Sequence, residues 1–173
     1  MFKTAAFCLL GILVSASAFS AEVPRPPQYI ALAFDGSKSV PMWKETREFA
    51  WGLTQQKLPL RFTYFISGVY YLTPANKAKY HGPKHSAGAS DIGFGEPSND
   101  LLFQRIAETN TAHLQGNEIA SHANGHFDGS KWTADEWGLE FALFNQLIFG
   151  VYANNGLPVP ANRPLPFDFT EKH

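Results

Sequence analysis

Two histidines, His122 and His126, stand four positions apart in Gly116-Asn117-Glu118-Ile119-Ala120-Ser121-His122-Ala123-Asn124-Gly125-His126. They follow a short strand-like run. Far upstream, Ile30-Ala31-Leu32-Ala33-Phe34-Asp35-Gly36 ends another apolar run in a single carboxylate. Two imidazoles and a carboxylate at strand ends are a donor set for a divalent metal ion. The chemistry that follows from such a set is metal-assisted hydrolysis. Taken singly, each residue has an ordinary reading. The histidines alone fit two partly exposed loop residues, and Asp35 alone fits a turn or a cap. His81 and His85 repeat the spacing, but Gly82-Pro83 lies between them and no strand precedes, so they read as a solvated loop. His113, on an expected helix, reads as structural, and His173 is terminal. There is no GxSxG elbow and no glycine-rich phosphate loop, which leaves a serine esterase or a nucleotide enzyme without support.

The elements that must position these groups alternate. The residues from Tyr29 to Phe34 are mostly apolar and predict a strand buried on both faces. Pro41 suits the first turn of a helix whose apolar face is Met42, Thr46, Phe49, Ala50 and Leu53. Leu60 to Ile66 is aromatic and β-branched and predicts a second strand. Gly68 to Glu96 is rich in glycine and proline and predicts a long ordered loop with at most short helices. Ser98 is an N-cap for a helix carrying Leu102, Ile106 and Thr109, with Gly116 placed to end it. Glu118 to Ser121 is the third strand. Thr133-Ala134-Asp135-Glu136 is a capping box, opening a helix with Trp137, Phe141, Phe144, Ile148 and Val151 at helical spacing. Asn154-Asn155-Gly156-Leu157-Pro158 stops it. The tail Val159 to His173 shows no periodicity, and the chain contains no repeat. Strand–helix alternation predicts an α/β fold with a parallel sheet, whose carboxyl edge would collect Asp35, His122 and His126.

Composition narrows the function classes. The chain has 173 residues and a net charge of −1, with no basic run suited to nucleic acid or to an anionic membrane. Lys3, the uncharged stretch Ala5 to Ala18 and the small-x-small pattern Ala16-Ser17-Ala18 predict a signal peptide over residues 1–21. That stretch is too short for a stable membrane anchor. Cys8, the only cysteine, falls inside it, so the mature chain, residues 22–173, carries neither a disulfide nor a thiol nucleophile. Export without disulfides predicts a periplasmic or secreted protein. About 150 residues remain, enough for one domain. Oligomeric state is left open.

Three segments in order resemble the polysaccharide deacetylase family (carbohydrate esterase family four). Ala33-Phe34-Asp35-Gly36-Ser37 is similar to the family's Thr-Phe-Asp-Asp-Gly motif. Phe62-Thr63-Tyr64-Phe65-Ile66-Ser67-Gly68 is similar to its second strand, and Gly116 to His126 to its His-Ser/Thr-x-x-His motif. The resemblance covers roughly Tyr29 to Tyr152. It implies a distorted β/α barrel, here partial, and a divalent metal, usually zinc. It implies metal-dependent removal of N-acetyl groups from a GlcNAc-containing polysaccharide such as peptidoglycan or chitin. By the same resemblance His122 and His126 are metal ligands. Asp35 is either catalytic base or ligand, because Gly36 occupies the position of the family's second aspartate. Ala123 replaces the usual hydroxyl residue. Arg163-Pro164-Leu165-Pro166-Phe167 is a faint echo of the third family motif, and the later ones have no counterpart, so the domain is expected to be incomplete at its C-terminus. The alternative is a degenerate, non-catalytic member that still binds carbohydrate or metal. A periplasmic metal-binding protein unrelated to sugars is a third reading, resting on the histidines alone.

Overall fold

The computed structural model describes residues 26–159. The expected signal peptide, the tail beyond Val159 and the Arg163 segment lie outside the described residues. All regular elements fall in the compact unit that begins at Ala31. Their order is β1 (Ala33–Phe34), α1 (Val40–Gln55), β2 (Thr63–Ile66), 3-10 turns at Gly68–Tyr71 and Pro74–Lys79, α2 (Asn99–Leu114), β3 (Glu118–Ser121), α3 (Ala134–Phe149) and α4 (Val151–Asn154). The described strands form a parallel sheet in the order β1-β2-β3, with Ala33 opposite Thr63, and Thr63 opposite Glu118. Parallel neighbours need a crossover, and α1 and α2 supply the two crossovers. The expected α/β class with parallel strands is therefore present.

The first strand differs from expectation. Only Ala33 and Phe34 pair as strand, while Tyr29 and Ile30 are exposed. Among the described residues β1 pairs with β2 alone, and Leu32 and Ala33 are exposed with Phe34 half-buried, so the run is not enclosed on two faces as its apolar character predicted. The α1 face is also rotated from the predicted one. Trp43, Arg47 and Ala50 are buried, whereas Met42 and Phe49 are more than half exposed. Two contacts set this phase. The Trp43 ring packs 4.7 Å from that of Tyr64, and Arg47 Nε donates to Glu108 of α2 at 2.7 Å. A charge paired within the protein can occupy a face that hydrophobicity alone assigns to its neighbours.

α2 follows the sequence more closely. Ser98 accepts from Leu101 N, Leu102, Ile106 and Thr109 are buried, and Gly116 takes φ +82° just past the helix end. A left-handed residue there is what glycine accommodates. The capping box of α3 is present with both reciprocal bonds, between Thr133 and Glu136. Phe144, Leu147 and Ile148 are buried, but Trp137 and Phe141 of the predicted face are exposed and stack on each other. Glu140 opens the buried side of the helix instead. The long segment after β2 contains only 3-10 turns, as expected. Its first residues, Val69 to Leu72, are nevertheless core and pack under α3.

Candidate functional site

Each strand delivers one side chain to the same edge of the sheet. Asp35 follows β1, Ser67 follows β2 and His122 follows β3. His122 N donates to Ile66 O at 2.8 Å, which extends the ladder up to the first imidazole. Asp35, His122 and His126 line a single cavity of about 220 Å³ together with Gly36, Ser37, Lys38, Tyr70 and Ile92. The two imidazoles stack at 5.4 Å between centroids. His122 is half-buried, and its Nδ1 lies 3.3 Å from Ser67 Oγ, itself fully buried. A partner on one ring nitrogen fixes the ring orientation and leaves Nε2 for other work. Ser67 thus supplies a hydroxyl beside His122 where Ala123 has none.

The turn that carries the histidines is held under strain. Ala123 has φ +55° and His126 φ +60°. Such conformations cost energy in non-glycine residues and persist only where surroundings enforce them. The enforcement comes from Glu140 on α3. Its carboxylate accepts from Asn124 N at 2.9 Å and from Tyr80 Oη at 3.0 Å, while its carbonyl accepts from Asn124 Nδ2. Tyr80 Oη in turn accepts from Gly125 N. Glu140, Tyr80 and Asn124 are all fully buried. Burial, and then the neighbouring Glu140 charge, push the Tyr80 phenol well above its ordinary range, which keeps it a proton donor.

Asp35 is held from the other side. Ser37 N closes back on Asp35 O in a tight turn with Gly36 at φ +62° and Ser37 at φ +49°. Arg105 of α2 is buried and donates to the carbonyls of both Ser37 and Lys38. Its guanidinium lies over the rings of Tyr70 and Tyr71, 5.6 and 5.8 Å from their centroids. Burial lowers its pKa from the usual arginine value. Lys38 Nζ donates to Ile92 O at 3.2 Å, across the cavity rim.

The donor chemistry suits a divalent ion in kind, with two imidazoles and a carboxylate on one cavity wall. The donors are not drawn round one point. Among the described residues, no three His, Cys, Asp or Glu side chains lie close enough together to hold one ion. His81 and His85 lie elsewhere, and His85 stacks on Phe127 at 3.5 Å. Sequence reasoning missed Ser67, Arg105 and Glu140. Arg105 and Glu140 carried one legible sign each, a charge set among apolar neighbours on a helix face that must pack. Ser67 carried none. Among the described residues, no helix is long and apolar enough to cross a membrane. No family model, curated protein or solved structure matches the chain.

Proposed function

We propose that this chain is a metal-dependent hydrolase that removes N-acetyl groups from an amino-sugar polymer of the peptidoglycan or chitin type. One observation carries the reading. Asp35 and the pair His122 and His126, about half the chain apart, line one cavity at the carboxyl edge of a parallel sheet. That edge is where α/β proteins place their chemistry. The parallel β/α order is compatible with part of a distorted barrel.

His122 and His126 would hold the ion, and Asp35, which lines the same cavity, would have to move nearer to join them as a third ligand. A bound divalent ion, zinc in the first instance, supplies Lewis acidity and makes water a better nucleophile at neutral pH. The chain does the rest. Ser67 orients His122, and Glu140 fixes the turn that presents both imidazoles. Asp35, when it is not a ligand, takes the proton of the attacking water. Lys38 and Tyr70 on the same wall offer donors to a sugar hydroxyl. The proposal includes export to the periplasm or medium after removal of residues 1–21.

Acetate release from acetylated chito-oligosaccharides, with zinc or cobalt added to the full chain, tests this. Asp35→Asn is expected to lower the rate by about 100-fold or more. His122→Ala with His126→Ala is expected to abolish both turnover and any metal-dependent rise in Tm. An inactive full chain whose Tm ignores every divalent metal overturns the proposal. A second reading is favoured by Gly36 in place of a second carboxylate and by the open arrangement of the donors. In it the chain binds carbohydrate or metal without turnover. Calorimetry showing oligosaccharide binding with no acetate released supports that alternative.

A further inference from the structure

Tyr70 lines the cavity that holds Asp35, His122 and His126. The residue is only 6% exposed. Lys38 Nζ lies 5.3 Å and the Arg105 guanidinium 5.6 Å from the centroid of its ring. Gly36, on the same cavity wall, borders the hydroxyl end. A Cβ there would sit 3.9 Å from Tyr70 Cε2, the ring carbon next to the one that bears the hydroxyl. Three other buried tyrosines commit their hydroxyls to protein partners, Tyr64 to Thr46, Tyr71 to Thr109 and Tyr80 to Glu140. Among the described residues the Tyr70 hydroxyl has no such partner, and it is not sealed from solvent as Ser37 Oγ is. A fixed ring thus presents one open donor beside Asp35. Burial raises its pKa above the ordinary 10, Arg105 opposes the rise, and the Asp35 charge adds to it. The phenol therefore keeps its proton at neutral pH.

We propose that Tyr70 is a catalytic residue whose hydroxyl donates a hydrogen bond to the carbonyl oxygen of the amide under attack. The proposal rests on the hydrolase reading and adds to it a group that receives the developing charge. In the attacking step an O–H bond of water breaks and a C–O bond forms at the carbonyl carbon. The proton goes to Asp35, and the π pair of the carbonyl moves onto its oxygen. Negative charge therefore leaves Asp35 and appears on the carbonyl oxygen. In the second step the C–N bond breaks and the nitrogen takes the proton back from Asp35. Acetic acid and the amine leave, and ionise in water to acetate and ammonium. A fixed donor contributes most where charge develops during the reaction. The Lys38 and Arg105 charges beside the ring favour an anion at its hydroxyl end. A sugar hydroxyl gains no charge, so a contact from Tyr70 to it would aid binding and not the chemical step.

The test compares the full chain with its Tyr70→Phe variant, both with zinc added. The substitution keeps the ring and deletes a hydroxyl that has no protein partner, so Tm is expected to be unchanged. With acetylated chito-oligosaccharides kcat is expected to fall about 100-fold while KM stays within about twofold. Tyr71→Phe, which loses the bond to Thr109 in the core, is the control and is expected to lower Tm while kcat is kept. A second readout needs no turnover. It is calorimetric binding of a glucosamine oligomer whose acetamide is replaced by a methylphosphonamidate, a tetrahedral anion. Tyr70→Phe is expected to weaken this analogue about 30-fold and the acetylated oligomer no more than about threefold. Equal analogue affinity in the two proteins, no analogue binding to either, or a change confined to KM overturns the assignment. An inactive chain whose analogue binding depends on Tyr70 leaves the donor standing and counts against the hydrolase. An active chain indifferent to Tyr70→Phe does the reverse.

Discussion

Glu140 shows how one residue sustains a site it does not enter. Its carboxylate is fully buried and bonded to Tyr80 Oη and Asn124 N, and these bonds hold the turn between His122 and His126 in left-handed backbone. Removing the acceptor would strand two buried donors, each costing about 1–3 kcal/mol. Glu140→Ala is therefore expected to lower unfolding stability by about 3 kcal/mol, read from the urea midpoint. Glu140→Gln retains one carbonyl acceptor and is expected to cost about half as much. Equal stability of wild type and Glu140→Ala would remove this account of the strained turn. Arg105 plays the corresponding part for Asp35, through two backbone carbonyls and two aromatic rings. In both cases a buried ionic side chain orders a loop that would otherwise have little to hold it.

At the scale of elements, local chemistry is strongest where it is self-contained. The capping box at Thr133 closes two bonds within four residues, and it formed as its spacing predicts. Thr133→Ala is expected to cost about 1 kcal/mol, measured by denaturant unfolding, with little effect on the site, which Glu140 supports about two turns further along α3. The close approach of Gly68 to Asn124 is the opposite case. A Cβ at Gly68 would collide with Asn124 Oδ1, and Gly68 N already donates to Ala123 O. Gly68→Ala is expected to destabilise by about 2 kcal/mol and to displace the histidine turn, visible as changed His122 and His126 imidazole signals. A normal spectrum and an unchanged urea midpoint would show that the contact is slack.

Across the described core, the largest fully buried side chains are tyrosines, Tyr64, Tyr71 and Tyr80. Tyr64, Tyr70, Tyr71 and Tyr80 are buried, and burial raises the pKa of each above the ordinary 10. Above pH 10 the unfolded chain releases phenolic protons that the folded chain keeps. The unfolded state then binds fewer protons, so stability falls as pH rises. The loss begins near pH 10 and is absent below it. Urea midpoints are expected to be flat between pH 8 and pH 9.5 as far as these tyrosines are concerned, and to drop steadily above pH 10. Tyr80→Phe is expected to make that drop shallower.

Strand and helix order, the caps at Ser98 and Thr133, the stop at Gly116 and the donor types at 35, 122 and 126 were all legible in the sequence. Each depends on near neighbours along the chain or on a side chain's own chemistry. The phase of α1, the shortness of β1 and the exposure of Trp137 and Phe141 were not legible. They depend on partners far away in sequence, such as Tyr64 for Trp43 and Glu108 for Arg47. Ser67, Arg105 and Glu140 were hidden for the same reason, because a buried polar group has a role only once its distant partner is known. The strand–helix alternation already set Asp35, His122 and His126 on one edge, since a parallel sheet places the ends of consecutive strands together whatever the length of chain between them. Tertiary structure alone decided that they line one cavity without converging on one point, because that depends on how distant side chains hold the loops.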